Sequence, residues 1–212
     1  MSLRVAERRG RVMDEIVAAA LAVMAEDGAA GLSLGAVASR LGMRTPSLYG
    51  YFPSKAALCD EIFARGWRDV ADALAPLVDR YRHLPPDADL AAEILAGLEC
   101  YVGWALDHAP SAELMFWRPI PGWHPSEQAF GAAVATLAQI GAALTALQDG
   151  GVLRRDADPG ELTGVLTILG AGVISQHLSN EPGAALAEGR HASHLPVLAQ
   201  MFARQYGAVP PP

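Results

Sequence analysis

Cysteine is nearly absent from this chain of 212 residues: Cys59 and Cys100 are the only two. Both sit in apolar stretches without metal-ligand spacing, which excludes a disulfide framework and a zinc ribbon and makes them reduced packing residues. Lysine is scarcer still, with Lys55 alone, and aromatic residues make up 7%. No charge of either sign occurs from Gln128 to Gln148, and no acid from Gly28 to Cys59. Nothing alternates at the strand period, no Gly-rich loop follows a strand pattern and there is no nucleophile elbow, so nucleotide-cradle and serine-hydrolase chemistries have no support. The pair His191 and His194 lacks a nearby Cys or a paired acid and reads as solvated, so no metal and no cofactor is expected. The N-terminus is basic but has no apolar run leading to a cleavage site; no export signal is read, and the expected location is cytoplasmic.

What the chain has in quantity is apolar residues, 51%, against 18% charged, a composition for helices with extensively buried faces. The net charge of −7 is unevenly spread. Residues 1–68 hold nine basic side chains against seven acids, and the remainder seven against sixteen, so a head of net +2 precedes a body of net −9. Arg4, Arg8, Arg9 and Arg11 open the head, suited to phosphates or a minor groove, or to a solvated terminus. Val12, Ile16, Ala19, Ala20 and Val23 then form one stripe of a helix from about Arg8 to Asp27, ended by Gly28.

From Ser33 to Lys55 the residues specify two short helices and the start of a third. Leu34, Val37, Ala38 and Leu41 fall on one helical face, with Ser33 as its cap and Leu32 as a staple. Gly42 ends this helix and leaves Gly42, Met43 and Arg44 as the turn. Thr45 is the expected cap of the second helix and Pro46 its first residue. Leu48 and Phe52 point inward, which turns Pro46, Ser47, Tyr49, Gly50 and Tyr51 outward. Ser54 caps the next helix, where Lys55, free N–H groups and the helix dipole converge on a spot suited to a phosphate. An acid-free outer face beside Arg40, Arg44 and Lys55 lets a polyanion approach without like-charge repulsion. Caps, turn length and outer face agree on a helix-turn-helix rather than an incidental three-helix core.

The stretch GLSLGAVASRLGMRTPSLYGYFPSKAAL closely resembles the signature of the tetracycline-repressor (TetR) family of bacterial regulators, over Arg8 to about Phe63. The resemblance implies an all-α fold: a three-helix helix-turn-helix DNA-binding headpiece plus a larger helical-bundle effector and dimerisation domain, and no catalysis. Two positions depart from the pattern. Gly50 stands where relatives often carry a larger polar or basic residue, and Tyr51 where histidine is common. Gly50 costs about 1 kcal/mol relative to alanine inside a helix and permits close backbone approach.

Further along, a helix through Leu58, Ile62, Phe63 and Trp67 is expected to kink or stop near Pro76 and to connect head and body. Leu90 to Ala105 give another, ending near His108. Leu114 to Trp117 form a short helical turn, and Pro119, Pro121 and Pro125 a loop. The uncharged run from Gln128 to Gln148 is long enough to raise a membrane span. Its Ala, Gly and Thr content, Gln139 near its centre and acidic flanks make it a core helix instead, so no membrane partner is expected. Leu162 to Leu178 is apolar on nearly every side and must be covered on every side, which implies a partner surface. A last helix runs from about His194 to Tyr206, and Pro210–Pro212 is a frayed tail.

The domain division expected is 1–53, with the fourth helix starting the transition to about residue 68, and 54–212. Ser33, Arg44, Tyr49 and Lys55 are the expected phosphate and sugar contacts of double-stranded DNA; Thr45, Pro46, Ser47 and Tyr51 are those at base edges. Tyr101, Trp104, Met115, Phe116, Trp117, Trp123, Phe130 and His177 are the candidate pocket for an apolar or aromatic small-molecule effector. For His177 the default is a buried ring satisfied by a carbonyl. Leu166, Gly170, Val173, Ile174, Leu198, Met201 and Phe202, on the last two helices, are the candidate homodimer interface that the resemblance implies. The function expected is a ligand-responsive repressor acting as a homodimer on a palindromic operator. The alternative is a helical small-molecule-binding or scaffold protein with a non-functional DNA-binding head.

Overall fold

The computed structural model describes residues 3–208, with side chains from Val5 onward. The Arg4 side chain and the Pro210–Pro212 tail lie outside the described residues. In order, the helices are α1 (Leu3–Gly31), α2 (Leu34–Arg40), α3 (Thr45–Tyr49), α4 (Lys55–Tyr81), α5 (Leu90–Asp107), α6 (Ala109–Trp117), α7 (Glu127–Asp149), α8 (Pro159–Asn180) and α9 (Leu195–Tyr206). The protein is all-α: among the described residues the only β pairing is an isolated bridge between Leu153 and Gly207.

Side-chain caps act at several helix starts, and those at Ser33 and Ser54 fall where the sequence predicts them. Ser33 Oγ accepts the Ala36 N–H at 3.1 Å, Ser54 Oγ that of Ala57 at 3.1 Å, Asp89 that of Ala92 and Asp158 that of Glu161. Each satisfies one of the free N–H groups at a helix start. Gly28 breaks α1 with φ 70°, so its last residues form a separate turn. The start of α1 lies at Leu3 rather than Arg8.

Two expectations are corrected. Pro76 neither stops nor ends α4, which continues to Tyr81. Leu74, Val78 and Tyr81 are buried on either side of it, and this burial outweighs the roughly 3 kcal/mol that an internal proline costs. The short turn expected at Leu114 extends back to Ala109 because Pro110 falls in the first helical turn, where its missing N–H loses nothing. The compact units of the chain are not contiguous in sequence. Its two compact units are residues 1–66 with 109–132, and residues 67–108 with 133–212. The middle segment joins the head because Trp123 packs edge-on against Phe63, with centroids 6.1 Å apart, and donates its indole N–H to Asp60 at 3.0 Å.

In the first unit Ile16, Ala20, Leu32, Val37, Leu48, Leu58, Ile62 and Phe63 form the core. In the second, Ile94, Leu98, Val102, Leu144, Leu147, Ile174 and Phe202 do so. The uncharged α7 is tied to its own chain by polar side chains: Thr136 donates to the Trp67 carbonyl, Gln139 to that of Ala71, and Gln148 to those of Arg154 and Ala157. By length and mean hydropathy α7 and α8 are each long and apolar enough to cross a membrane. These bonds fix one face of α7 on its own unit, while Val134 on another face stays exposed.

The candidate dimer residues do not share one outward face. Gly170, Val173, Ile174 and Phe202 are buried within the subunit, and Leu166 lines a cavity. Burial follows the helical phase: α8 and α9 turn these positions toward their own unit's core, and leave Ile168 70%, Val197 54% and Met201 59% exposed. Leu198 is half-buried.

Candidate nucleic-acid interface

The turn between α2 and α3 is set by its hydrogen bonds. Met43 N–H donates to the Ala38 carbonyl at 2.9 Å and Gly42 N–H to that of Ser39 at 3.1 Å, the two bonds of a Schellman motif. That motif requires a left-handed residue, and Gly42 supplies it with φ +63°. Arg44 is extended and stands as the N-cap of α3, with no side-chain hydrogen bond. Thr45 is therefore the first helical residue and Pro46 the second, one position later than expected; neither placement asks Pro46 for an N–H.

The five-residue α3 is held from beneath by Leu48, with Phe52 buried just beyond it. Pro46, Ser47, Tyr49 and Gly50 are exposed, Thr45 and Tyr51 half-exposed, Arg44 and Ser33 exposed, and Lys55 half-exposed at the start of α4. All eight candidate DNA contacts thus reach the surface of one unit, and no acid stands among them in the sequence.

Two arginines differ from the sequence reading. Arg40 makes a two-pronged pair with Glu26, at 2.6 and 2.7 Å, joining α2 to α1. The hydrogen bond and charge of Arg40 hold the Glu26 carboxyl below the usual range, and those of Glu26 raise the guanidinium. Its charge is spent on Glu26, so it adds less cation to the surface than expected. Arg9 lies over the Tyr51 ring and donates to the Gly50 carbonyl. Sequence patterning gave no sign of either partnership, because each spans helices far apart in the chain. Arg65 bridges Asp14 and Glu61, both at 2.6 Å, and fastens α1 to α4.

The eight candidate effector residues are divided between the two compact units. Met115, Phe116, Trp117, Trp123 and Phe130 belong to the first unit, where Trp123 and Phe130 pack on Phe63. Tyr101, Trp104 and His177 belong to the second. Trp104 stacks on His108 at 4.9 Å. His177 is fully buried, with Nε2 2.9 Å from the Ala184 carbonyl and Nδ1 buried without a hydrogen-bond partner among the described residues.

Of the eight, Tyr101 alone lines an apolar cavity of about 60 Å³ within the second unit. Leu74, Val78, Tyr81, Leu98, Ile140 and Leu166 are among its other walls. The Tyr81 hydroxyl donates to the Glu93 carbonyl at 2.6 Å, and Thr167 to those of Thr163 and Gly164, so both hydroxyl hydrogens are engaged. Gly97 and Gly170 make room for the two rings: a Cβ on Gly170 would stand 2.6 Å from the Tyr101 ring, and one on Gly97 3.2 Å from the Tyr81 hydroxyl. Glycines inside apolar helices were the available sign of this cavity, and without the fold nothing paired them with their tyrosines.

With this geometry in view, four likenesses bear on the family. Residues 16–62 match the family model of bacterial regulatory proteins, tetR family, a span that holds α2, α3 and the capped start of α4. The HTH-type transcriptional regulator Rv1816 of Mycobacterium tuberculosis is 30% identical over 128 residues, 60% of this chain and 53% of the relative; the match spans about half the length of the curated relatives. Among solved structures, the regulatory protein SCO4313 is 26% identical with a TM-score of 0.71, over 92% of this chain and 97% of that one. A bacterial regulatory protein in the tetR family from Rhodococcus RHA1 is 19% identical with a TM-score of 0.67, over 93% and 97%. Capped helix-turn-helix, family signature and whole-chain fold agree: residues 16–62 carry the DNA-binding region of bacterial regulatory proteins of the tetR family, and the chain as a whole shares the fold of SCO4313.

Proposed function

We propose that this protein is a cytoplasmic, ligand-responsive transcriptional repressor that binds double-stranded DNA as a homodimer. The observation that carries the reading is the outer face of α3: Pro46, Ser47, Tyr49 and Gly50 are exposed between two capped helices, on a stretch without a carboxylate. Thr45, Pro46, Ser47 and Tyr51 approach base edges in a major groove, and Ser33, Arg44, Tyr49 and Lys55 meet phosphate and sugar. The Ala57 N–H bond to Ser54 sets the first turn of α4 so that Lys55 and the helix dipole act together on a phosphate.

Two copies related by a two-fold axis read a palindrome with half-sites roughly 34–36 Å apart. The partner surface is the apolar area left open on α8 and α9, Ile168, Val197 and Met201, in place of the inward positions first expected. An exposed isoleucine on a helix of this hydropathy favours a covering surface over water.

The effector is an uncharged, apolar molecule that enters the cavity around Tyr81 and Tyr101. The cavity's volume is below the ~150 Å³ that takes a benzene ring, so entry displaces side chains of α4, α5, α7 and α8. Because α4 supplies residues to both compact units, the displacement biases the head, and DNA affinity changes by the ligand's preference between the two conformations and no more. Dissociation into single chains is not required.

Binding to genomic fragments at several salt concentrations tests the reading. Log affinity is expected to fall linearly with log salt, and Lys55→Ala to weaken all sequences about equally while making that slope shallower by about 1. A chain that captures no fragment at low salt would favour the scaffold alternative. Light scattering that shows a monomer on effector binding would overturn the switching scheme.

A further inference from the structure

Arg9 lies near the N-terminus of α1, 41 residues before the end of α3, and the DNA contacts assigned above do not use it. Its guanidinium meets two neighbours at once. One N–H donates to the Gly50 carbonyl at 2.9 Å, and the central carbon stands 5.0 Å from the centroid of the Tyr51 ring. Gly50 is the C-cap of α3. The last carbonyls of a helix have no intrahelical donors and carry its partial negative charge, so a cation with an N–H answers both needs. The flat guanidinium face adds attraction to the ring of Tyr51.

A five-residue helix does not persist unaided. Leu48 and Phe52 anchor the inner side of this one. Among the described residues, Arg9 is the side chain that hydrogen-bonds its C-terminal end from another helix. The geometry points to Arg9 as a positioning residue for DNA discrimination: by holding the Gly50 carbonyl and the Tyr51 ring together, it fixes the angle at which α3 meets a duplex. This rests on the reading of α3 as the DNA-facing helix. Lysine cannot substitute, because a point charge on a flexible stem lacks the planar fork that donates and stacks at once. A plain phosphate contact would need only the charge.

The test uses the full-length protein and a randomised duplex pool. Affinities of the wild type, Arg9→Ala, Arg9→Lys, Tyr51→Ala, Tyr51→Phe and the double alanine variant are measured on the duplex that the wild type selects and on a scrambled duplex of equal length, across salt concentrations. The ratio of the two affinities is expected to fall about tenfold in Arg9→Ala and in Tyr51→Ala, and the double variant to lose no more than the larger single loss. Arg9→Lys should not restore the ratio, whereas Tyr51→Phe, which keeps the ring beneath Arg9, should lose less of it than Tyr51→Ala. On the scrambled duplex the salt slope of Arg9→Ala should match the wild type. Full rescue by lysine, additive losses, or a slope shallower by about 0.9 would assign Arg9 to a phosphate and overturn the proposal. Thermal unfolding of each variant separates lost positioning from lost fold, since Arg9 is exposed and its removal leaves the core intact. A wild type that selects no sequence sinks the DNA reading itself; one that selects, with Arg9→Ala equally selective, sinks only the role of Arg9.

Discussion

The two compact units solve opposite problems with the same kind of helix. In the first, short helices are fixed by devices that act over a few residues: Ser33 and Ser54 as caps, Gly42 at its left-handed turn, Pro46 in a first turn. Their outer side is polar and open. In the second, long apolar helices enclose a cavity, and leave Ile168 and Met201 uncovered. A surface that reads a polyanion needs exact backbone placement at little apolar cost. A surface that takes an apolar ligand or a second copy needs unsatisfied hydrophobic area, and cannot be specified by caps.

The contrast is tested most strongly at its buried anchors. Leu48 is wholly buried beneath α3. Leu48→Ala is expected to cost about 2–5 kcal/mol and to remove amide protection from α3, measured by chemical denaturation and hydrogen exchange. Unchanged protection there would mean that α3 is not held from its inner side. Next in size is Gly170→Ala, whose new Cβ would stand 2.6 Å from the Tyr101 ring. Displacing that ring should cost about 1–3 kcal/mol and narrow the cavity. A variant as stable as the wild type, with unaltered uptake of an apolar dye, would show that Tyr101 is free to move.

How far the sequence shows these features follows from the range of the forces. Ser33, Gly42 and Pro46 report their roles because a cap or a turn is decided within four residues, and the outward set at α3 follows from the phase of Leu48 and Phe52. Arg9 on Tyr51 and Arg40 on Glu26 join residues separated by 42 and 14 positions, and no local pattern carries such pairings. The surroundings of the candidate effector residues are hidden from the sequence for a related reason. Trp123 and Tyr101 are alike in type, yet one hydrogen-bonds Asp60 in the head and the other faces a cavity in the body. The phase of α8 was ambiguous because apolar residues occupy nearly all its sides, so nothing in the pattern distinguished Ile168 from Val173.

A smaller effect on folding sharpens the body's half of the comparison. Ile168→Asp replaces a side chain that is 70% exposed, and should leave the stability of the single chain within about 0.5 kcal/mol. Its association should nevertheless weaken, because a carboxylate in a covered interface loses its water. Sedimentation of both proteins over a concentration series measures this, and equal self-association would remove Ile168 from the partner surface.

The smallest expected perturbation is chemical and compares the two cysteines. Burial pushes the Cys59 thiol from 9.0 up to about 11, against a weaker lowering by Lys55, and burial also raises Cys100. Cys59 is fully enclosed, whereas Cys100 is half-buried with its Sγ donating to the Ala73 carbonyl. At pH 8 only about one Cys59 in a thousand is thiolate, and reaction requires that form. A maleimide should therefore label Cys100 first on the native protein and both after denaturation, as read by peptide mass. Because the folded pKa of Cys59 is raised, its contribution to stability is complete below about 9 and is lost as pH rises toward about 11, where the unfolded chain sheds the proton first. Equal labelling at pH 8 would mean that the head opens around α4 on the time scale of the reaction, and the rigid support assigned to α3 would have to be abandoned.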